Sequence, residues 1–171
     1  MLEPIADILN PPIHMNNVNL EQALRFIAEH NELVFATCED SYPQLRAFQV
    51  MHIEGSTLYF ATSPRKDVYR QLQANPHIEL LTMADQTSVR CKGDADFNVD
   101  DAHQQLIFQR NPVLPRLYSD YTEIAYFKMS IRALDYYDLK PTPPLFLHFD
   151  LQHNTVAHGF VGTRYSPSQA Q

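Results

Sequence analysis

The sequence predicts an α+β domain that is mainly β: an antiparallel barrel, closed or half closed, with a few short helices flanking it. Three observations predict this. Short runs rich in β-branched and aromatic residues recur between turn signals along most of the 171 residues. Helical spacing is confined to three stretches, Leu20–Ala28, Lys66–Asn75 and Asp100–Gln109. Connections between successive runs are too short for parallel crossovers, except where the two later helices intervene.

Asn19 precedes the pattern Leu20, Ala23, Leu24, Ile27, Ala28, with Gln22 three residues on and Asn31 as a stop. That is a capped amphipathic helix. Leu33–Cys38, Gln44–Ile53 and Thr57–Thr62 follow, punctuated by Glu39-Asp40-Ser41 and Glu54-Gly55-Ser56, and predict a three-stranded antiparallel meander. Val68, Tyr69 and Leu72 mark a short helix closed by Asn75-Pro76, because the residue before proline avoids the helical region. Ile78–Thr82 predicts a strand. Beyond it Val89, Cys91, Gly93, Ala95 and Phe97 alternate with Arg90, Lys92, Asp94 and Asp96, so one face is buried and the other wet. Asp100 and Asp101 open the third helix where its dipole favours acid, and Asn111-Pro112 ends it. Ile124–Leu139 supplies one long strand or two short ones, for roughly six strands and three helices in all.

Past Lys140 a Pro-rich stretch leads into sequence with no sustained period, read as an extended arm. Leu145, Phe146, Leu147 and Phe149 are too apolar to stand free in water, so Leu145–Leu151 is expected to pack on this barrel or on a partner's. The expected organisation is an N-terminal arm over 1–16, one barrel domain over 17–140 and a C-terminal extension over 141–171.

Composition removes several classes. Apolar residues are 44% and charged ones 19%, close to globular averages, which excludes a disordered or fibrous chain. With 4 glycines and no G-x-G-x-x-G or G-x-x-x-x-G-K-[ST], the glycine-built nucleotide loops have no place to form. The 13 Lys and Arg against 20 Asp and Glu give a net charge of −7, with no hint of nucleic-acid or anionic-membrane binding. The longest apolar run is four residues and the start lacks a signal-peptide pattern, so the expected location is cytoplasmic, with no membrane span. Cys38 and Cys91 lie in apolar runs and read as small core residues.

The informative segment is Thr62-Ser63-Pro64-Arg65-Lys66-Asp67, where a strand ends and a helix begins. Free N–H groups at a helix start, two hydroxyls, a guanidinium and an ammonium are what a phosphate site needs. A helix terminus favours an exposed anion by only about 0.3 to 1 kcal/mol, whereas micromolar affinity takes roughly 8 kcal/mol, so the charged side chains and a stacked ring must supply most of it. The bland alternative is that Ser63 caps the helix while Arg65 and Lys66 sit solvated. In Arg46-Ala47-Phe48-Gln49, Arg46 and Phe48 share one face at period two, and the arginine could reach an anion held at the neighbouring strand's end. Ser88 and Arg90 share a face on a third strand, expected across the sheet from the other two segments. His148, His153 and His158 recur every five residues, a spacing that does not build a shared metal site.

The stretch Leu58 to Leu80, with its strand, Thr-Ser, Arg-Lys, amphipathic helix, Asn-Pro and strand, resembles the signature of the FMN-binding split barrels related to pyridoxamine 5′-phosphate oxidase. Arg46–Gln49 is similar to that family's arginine-containing flavin strand, and Val89–Ala95 to its V-x-x-x-G-x-A strand. The resemblance covers about Leu20–Leu139. It implies a six-stranded antiparallel Greek-key split barrel and a homodimer with FMN in clefts at the subunit interface. By the same resemblance Arg65 and Lys66 would grip the phosphate with help from Thr62 and Ser63. Arg46, Ala47, Phe48 and Gln49 would run beside the flavin, and Ser88 or Arg90 would approach from the adjacent strand. Arg46 would stabilise the reduced, anionic flavin.

Met51 stands where the vitamin B6 oxidases carry a substrate-phosphate lysine, and the chain has no tryptophan, which those enzymes place in a C-terminal segment that the tail His158–Arg164 does not match. The expected activity is therefore that of a flavin-reductase-like, FMN-dependent oxidoreductase, with NAD(P)H or a small molecule as reaction partner, rather than pyridoxamine phosphate oxidation. The other expectation is a flavin- or haem-binding carrier or sensor on the same barrel.

Overall fold

The computed structural model describes residues 18–159; the arm read over 1–16 and the tail from residue 160 lie outside them. In chain order the elements are α1 (Leu20–Glu29), β1 (Glu32–Glu39), β2 (Tyr42–Gln49), β3 (His52–Glu54), β4 (Thr57–Thr62), α2 (Asp67–Ala74), β5 (His77–Ala84) and β6 (Thr87–Asp96). Then come α3 (Asp101–Arg110), α4 (Val113–Leu117), a 3-10 turn (Tyr121–Glu123), β7 (Ala125–Asp138), β8 (Leu145–Asp150) and β9 (Thr155–His158). Every strand pairing is antiparallel. The fold is a mostly-β split barrel with few helices.

Helix α1 forms where its cap predicts: Asn19 Oδ1 accepts from the Gln22 N–H and Gln22 Oε1 from the Asn19 N–H, both at 2.9 Å. Ala23 and Ile27 are its buried stripe. The sheet runs β2-β1-β5-β6-β7-β4-β3. Because β3 follows β2 in the chain, the two ends of this order are joined by Val50–Met51. There the Val50 N–H donates to Asn31 O on the β1 side, and the Met51 N–H donates to Tyr59 O on the β4 side, each at 2.9 Å. One extended segment thus pairs first with β1 and then with β4, closing the barrel.

This corrects the expected meander. Gln44–Ile53 is shared between two hairpins, β1–β2 and β3–β4, rather than lying as one strand between two neighbours. Nine strands among the described residues replace the expected six, because that segment divides and the stretch after Pro144 adds β8 and β9. Alternating burial of Leu147 and Phe149 places β8 against the C-terminal half of β7. Ile124–Leu139 resolves as one 14-residue strand. It pairs with β4 in its first half, with β8 in its second and with β6 from Lys128 onward, with a register shift opposite Lys92 and Gly93.

The main core is aromatic: Phe35, Phe60 and Phe127 are fully buried among Leu58, Leu80, Val89, Cys91, Met129 and Leu134. Cys91 is buried there, and Cys38 is half-buried. A second cluster of Tyr59, Val99, Ile107, Leu114, Ile124 and Tyr126 joins the α3–α4 segment to β4 and β7. Burial pushes the Tyr126 phenol up to about 12. No helix among the described residues is long and apolar enough to cross a membrane.

Candidate functional site

Strand β4 ends at Thr62, and the Lys66 N–H donates to Ser63 O at 3.0 Å to close a tight turn with Pro64 at its second position. Helix α2 then starts with Lys66 as its N-cap, without a side-chain cap bond. Helices α1 and α3 are capped by the acceptors Asn19 and Asp100. A cation at the cap of α2 leaves the first-turn N–H groups without a side-chain acceptor. Ser63 does not cap: its Oγ accepts from the Arg65 N–H at 3.2 Å. Arg65 and Lys66 are exposed, and Thr62 is buried with its Oγ1 lacking any hydrogen-bond partner among the described residues. A buried unpaired hydroxyl is costly, and its presence beside the turn marks a place where a polar ligand atom would be accepted.

Arg46 reaches toward the same helix. Its Nη1 donates to Thr37 Oγ1 at 2.6 Å and its Nη2 to Gln71 Oε1 at 2.7 Å, tying β2 and β1 to α2. Thr37 Oγ1 also donates to Gln71 Oε1 at 2.7 Å, and Gln71 Nε2 donates to Glu39 Oε2 at 2.8 Å. Glu39 pairs with Arg70 at 2.6 Å, and Arg70 with Asp67 at 3.4 Å. The Gln71 amide and Arg70 hold the Glu39 carboxyl below its ordinary range. Burial pulls the Arg46 guanidinium down while the charge of Asp67 acts the other way. Among the described residues no carboxylate is ion-paired with Arg46, although it is half-buried. Keeping a cation partly out of water against neutral acceptors is unfavourable unless an anion completes the site.

The other predicted residues are placed differently. Phe48 shares the inner face with Arg46, but its ring stacks on Phe35 at 4.8 Å and packs edge-on to Phe60 at 5.8 Å, so it is engaged in the core. Ala47 and Gln49 alternate to the outer face, exposed and half-buried. Arg46 falls in the cross-strand row Phe35, Leu80, Cys91, Leu134, whereas Arg90 falls in the neighbouring row Ala47, Val34, Leu81, Asp135. Adjacent rows face opposite sides, so within one chain Arg90 and Ser88 point away from Arg46. Thr62 pairs with Ala125 and Arg90 with Asp135, about 30 Å apart along β7. Arg90 Nη2 lies 2.6 Å from Asp135 Oδ2 and its Nε 3.3 Å from Glu79, while His148 takes the other Asp135 oxygen at 2.6 Å. That guanidinium is already neutralised. Within one chain, then, the fold brings together Thr62, Ser63, Arg65 and Lys66 at one turn, and ties Arg46 to the helix which that turn begins.

Sequence reasoning missed Thr37 and Gln71. The signal for Gln71 was available: Val68, Gln71 and Leu72 are the buried stripe of α2, so a polar residue occupies a core position at i+3. Helical spacing alone points to Tyr69, whose ring is instead half-buried against Phe97 at 5.1 Å.

A family model described as pyridoxamine 5′-phosphate oxidase matches residues 20–130, well over half of the chain. The chain belongs to the pyridoxamine 5′-phosphate oxidase family. A search of curated proteins finds no match. Solved structures share the family fold. A protein from Clostridium acetobutylicum related to general stress protein 26, of the pyridoxinephosphate oxidase family, aligns over 81% of this chain and 100% of its own at 14% identity and a TM-score of 0.64. A pyridoxamine 5′-phosphate oxidase-related, FMN binding protein from Nostoc punctiforme aligns over 84% and 95% at 16% identity and a TM-score of 0.61. A heme binding protein from Mycobacterium smegmatis aligns over 70% of this chain and 54% of its own at 16% identity and a TM-score of 0.58. At these identities the likeness is one of fold.

Proposed function

We propose that the protein is an FMN-dependent oxidoreductase of this family, flavin-reductase-like, in which FMN would supply the hydride-transfer chemistry and no protein nucleophile is needed. The observation that carries the reading is the half-buried Arg46, which no carboxylate pairs among the described residues, tied to α2, the helix that begins at the exposed Arg65–Lys66 turn, in a chain whose net charge is −7. The residues fit FMN. Arg65, Lys66 and the open helix start suit a phosphate dianion, the unpaired Thr62 hydroxyl suits one of its oxygens, and Arg46 suits the electron-rich edge of the ring. Bound FMN would supply two-electron chemistry; the chain's own part is to hold the phosphate, orient the ring and keep a positive charge near it. Met51 at the position of a substrate-phosphate lysine, and the lack of tryptophan, argue for a substrate other than pyridoxamine phosphate.

The purified protein is expected to show a flavin spectrum that bleaches with NADH or NADPH under anaerobic conditions. Colourless protein that takes up no FMN contradicts the reading. A stable flavin that neither nucleotide reduces favours a carrier, and a haem spectrum favours the haem-binding alternative.

The assembly in this reading is a homodimer in the cytoplasm with FMN at the subunit interface. Its support is an apolar patch on the outer face of β2, β1 and β5: Leu45 is 68% exposed, Val34 44% and Met83 70%, with Ala47 and Leu81 between them. Exposed apolar surface of this kind marks an association face, and a two-fold contact covers it on both copies. In such a dimer Ser88 and Arg90, which border the patch, would serve the partner's cleft rather than their own. Val34→Asp with Leu45→Glu is expected to give a monomer by sedimentation that loses FMN on desalting. A wild-type monomer that retains FMN would contradict this assembly.

A further inference from the structure

We propose that Gln71 is a positioning residue: a neutral side chain that fixes the Arg46 guanidinium without cancelling its charge, so that the charge stays available to an anionic ligand. The inference rests on the FMN reading above and adds a residue to it. Gln71 is 4% exposed, and both ends of its amide are engaged. Oε1 accepts from Arg46 Nη2 and from Thr37 Oγ1, using both lone pairs, and Nε2 donates to Glu39.

The charges around it are arranged to leave Arg46 alone. Glu39 on β1 is turned to the Gln71 amide and to Arg70, and Asp67 at the start of α2 is paired with Arg70 while acting on Arg46 only at longer range. Arg90, another half-buried arginine, shows the ordinary solution, with Asp135 and Glu79 both against it. At position 71 a glutamate could make the same two acceptor contacts, and its charge would neutralise Arg46. A glutamine keeps the geometry and withholds the charge.

The geometry has a second consequence. Two of the five guanidinium N–H groups are used on Thr37 and Gln71, which leaves the remaining edge of a rigid fork held in one orientation by residues of β1 and α2. Gln71 belongs to the same helix that Lys66 caps, so one eight-residue helix couples the phosphate turn to the ring-side cation.

The test is Gln71→Glu, measured for folding by thermal melting of the ligand-free protein, for FMN and inorganic-phosphate affinity, and for the reduction potential of the bound flavin. The expected result is a folded protein that binds FMN at least about tenfold more weakly and holds the flavin at a more negative potential, with phosphate affinity changed less. A folded variant with wild-type FMN affinity and potential overturns the proposal. So does equal weakening of FMN and phosphate at an unchanged potential, which is what a merely loosened helix produces. If Gln71→Glu does not fold, Gln71→Met removes both acceptor contacts without adding charge: a lowered FMN affinity with a shifted potential supports the role, and wild-type values overturn it. Failure of the FMN reading itself appears in the wild-type arm, as absence of FMN binding before any variant is compared.

Discussion

Replacing Arg65 and Lys66 together by alanine is expected to abolish FMN retention while leaving the fold intact. Both side chains are exposed and make no ion pair among the described residues, so their removal takes nothing from the core. Each charge-assisted contact to a phosphate is worth about tenfold or more in affinity, which makes the double variant at least about 100-fold weaker. The open start of α2 remains and accounts for the residual binding, because a helix terminus contributes only about 0.3 to 1 kcal/mol to an exposed anion. Circular dichroism and thermal melting check the fold, and desalting followed by flavin absorbance checks retention. Wild-type retention in a folded double variant would remove the phosphate assignment.

Gly93→Ala is expected to destabilise the barrel by roughly 2 to 3 kcal/mol, because the added methyl has no room and the obstruction is partly backbone. A Cβ at this position would lie 2.4 Å from Met129 Cγ and 2.6 Å from the carbonyl oxygen of Ser130. The methionine can shift, whereas Ser130 belongs to the β7 backbone that pairs with both β4 and β6 and cannot shift without disturbing both ladders. Gly93 also sits where the β6–β7 register changes, so the close approach belongs to the bulge itself. The melting midpoint should fall by roughly 5 to 10 °C, measured by calorimetry. Gly55 provides the control. It has nothing within 4 Å, but its φ of +55° favours glycine, so its replacement by alanine costs turn strain alone, about 1 kcal/mol.

These two positions also show what periodicity can and cannot reveal. Alternation identified Val89, Cys91 and Gly93 as the inward face of β6 and Arg90 as outward, and the structure agrees residue by residue. What alternation could not supply was the partner across the sheet. Arg90 looked free beside Arg46, Arg65 and Lys66 because Asp135 and Glu79, which neutralise it, lie far away in sequence on β7 and β5. The same limit explains the missed division of Gln44–Ile53. Nothing local distinguishes Val50 from Met51, and only tertiary pairing with β1 on one side and β4 on the other separates β2 from β3. Beyond Pro144 the proline-rich approach hid two strands whose alternation, Leu147 and Phe149 inward, is short. The turn at Thr62–Lys66 was legible because all of its chemistry is contiguous, whereas the Arg46–Gln71–Thr37 contacts were not, because they join three elements.

The most direct measurement is the affinity of the ligand-free protein for FMN compared with riboflavin, which has the same ring and side chain without the phosphate. Both are read from quenching of flavin fluorescence at one ionic strength. The site built from Arg65, Lys66, Thr62 and the start of α2 predicts one FMN per chain, bound at least about 100-fold tighter than riboflavin, with the difference shrinking as salt is raised. Equal affinities for the two, or no saturable binding of FMN, would contradict it.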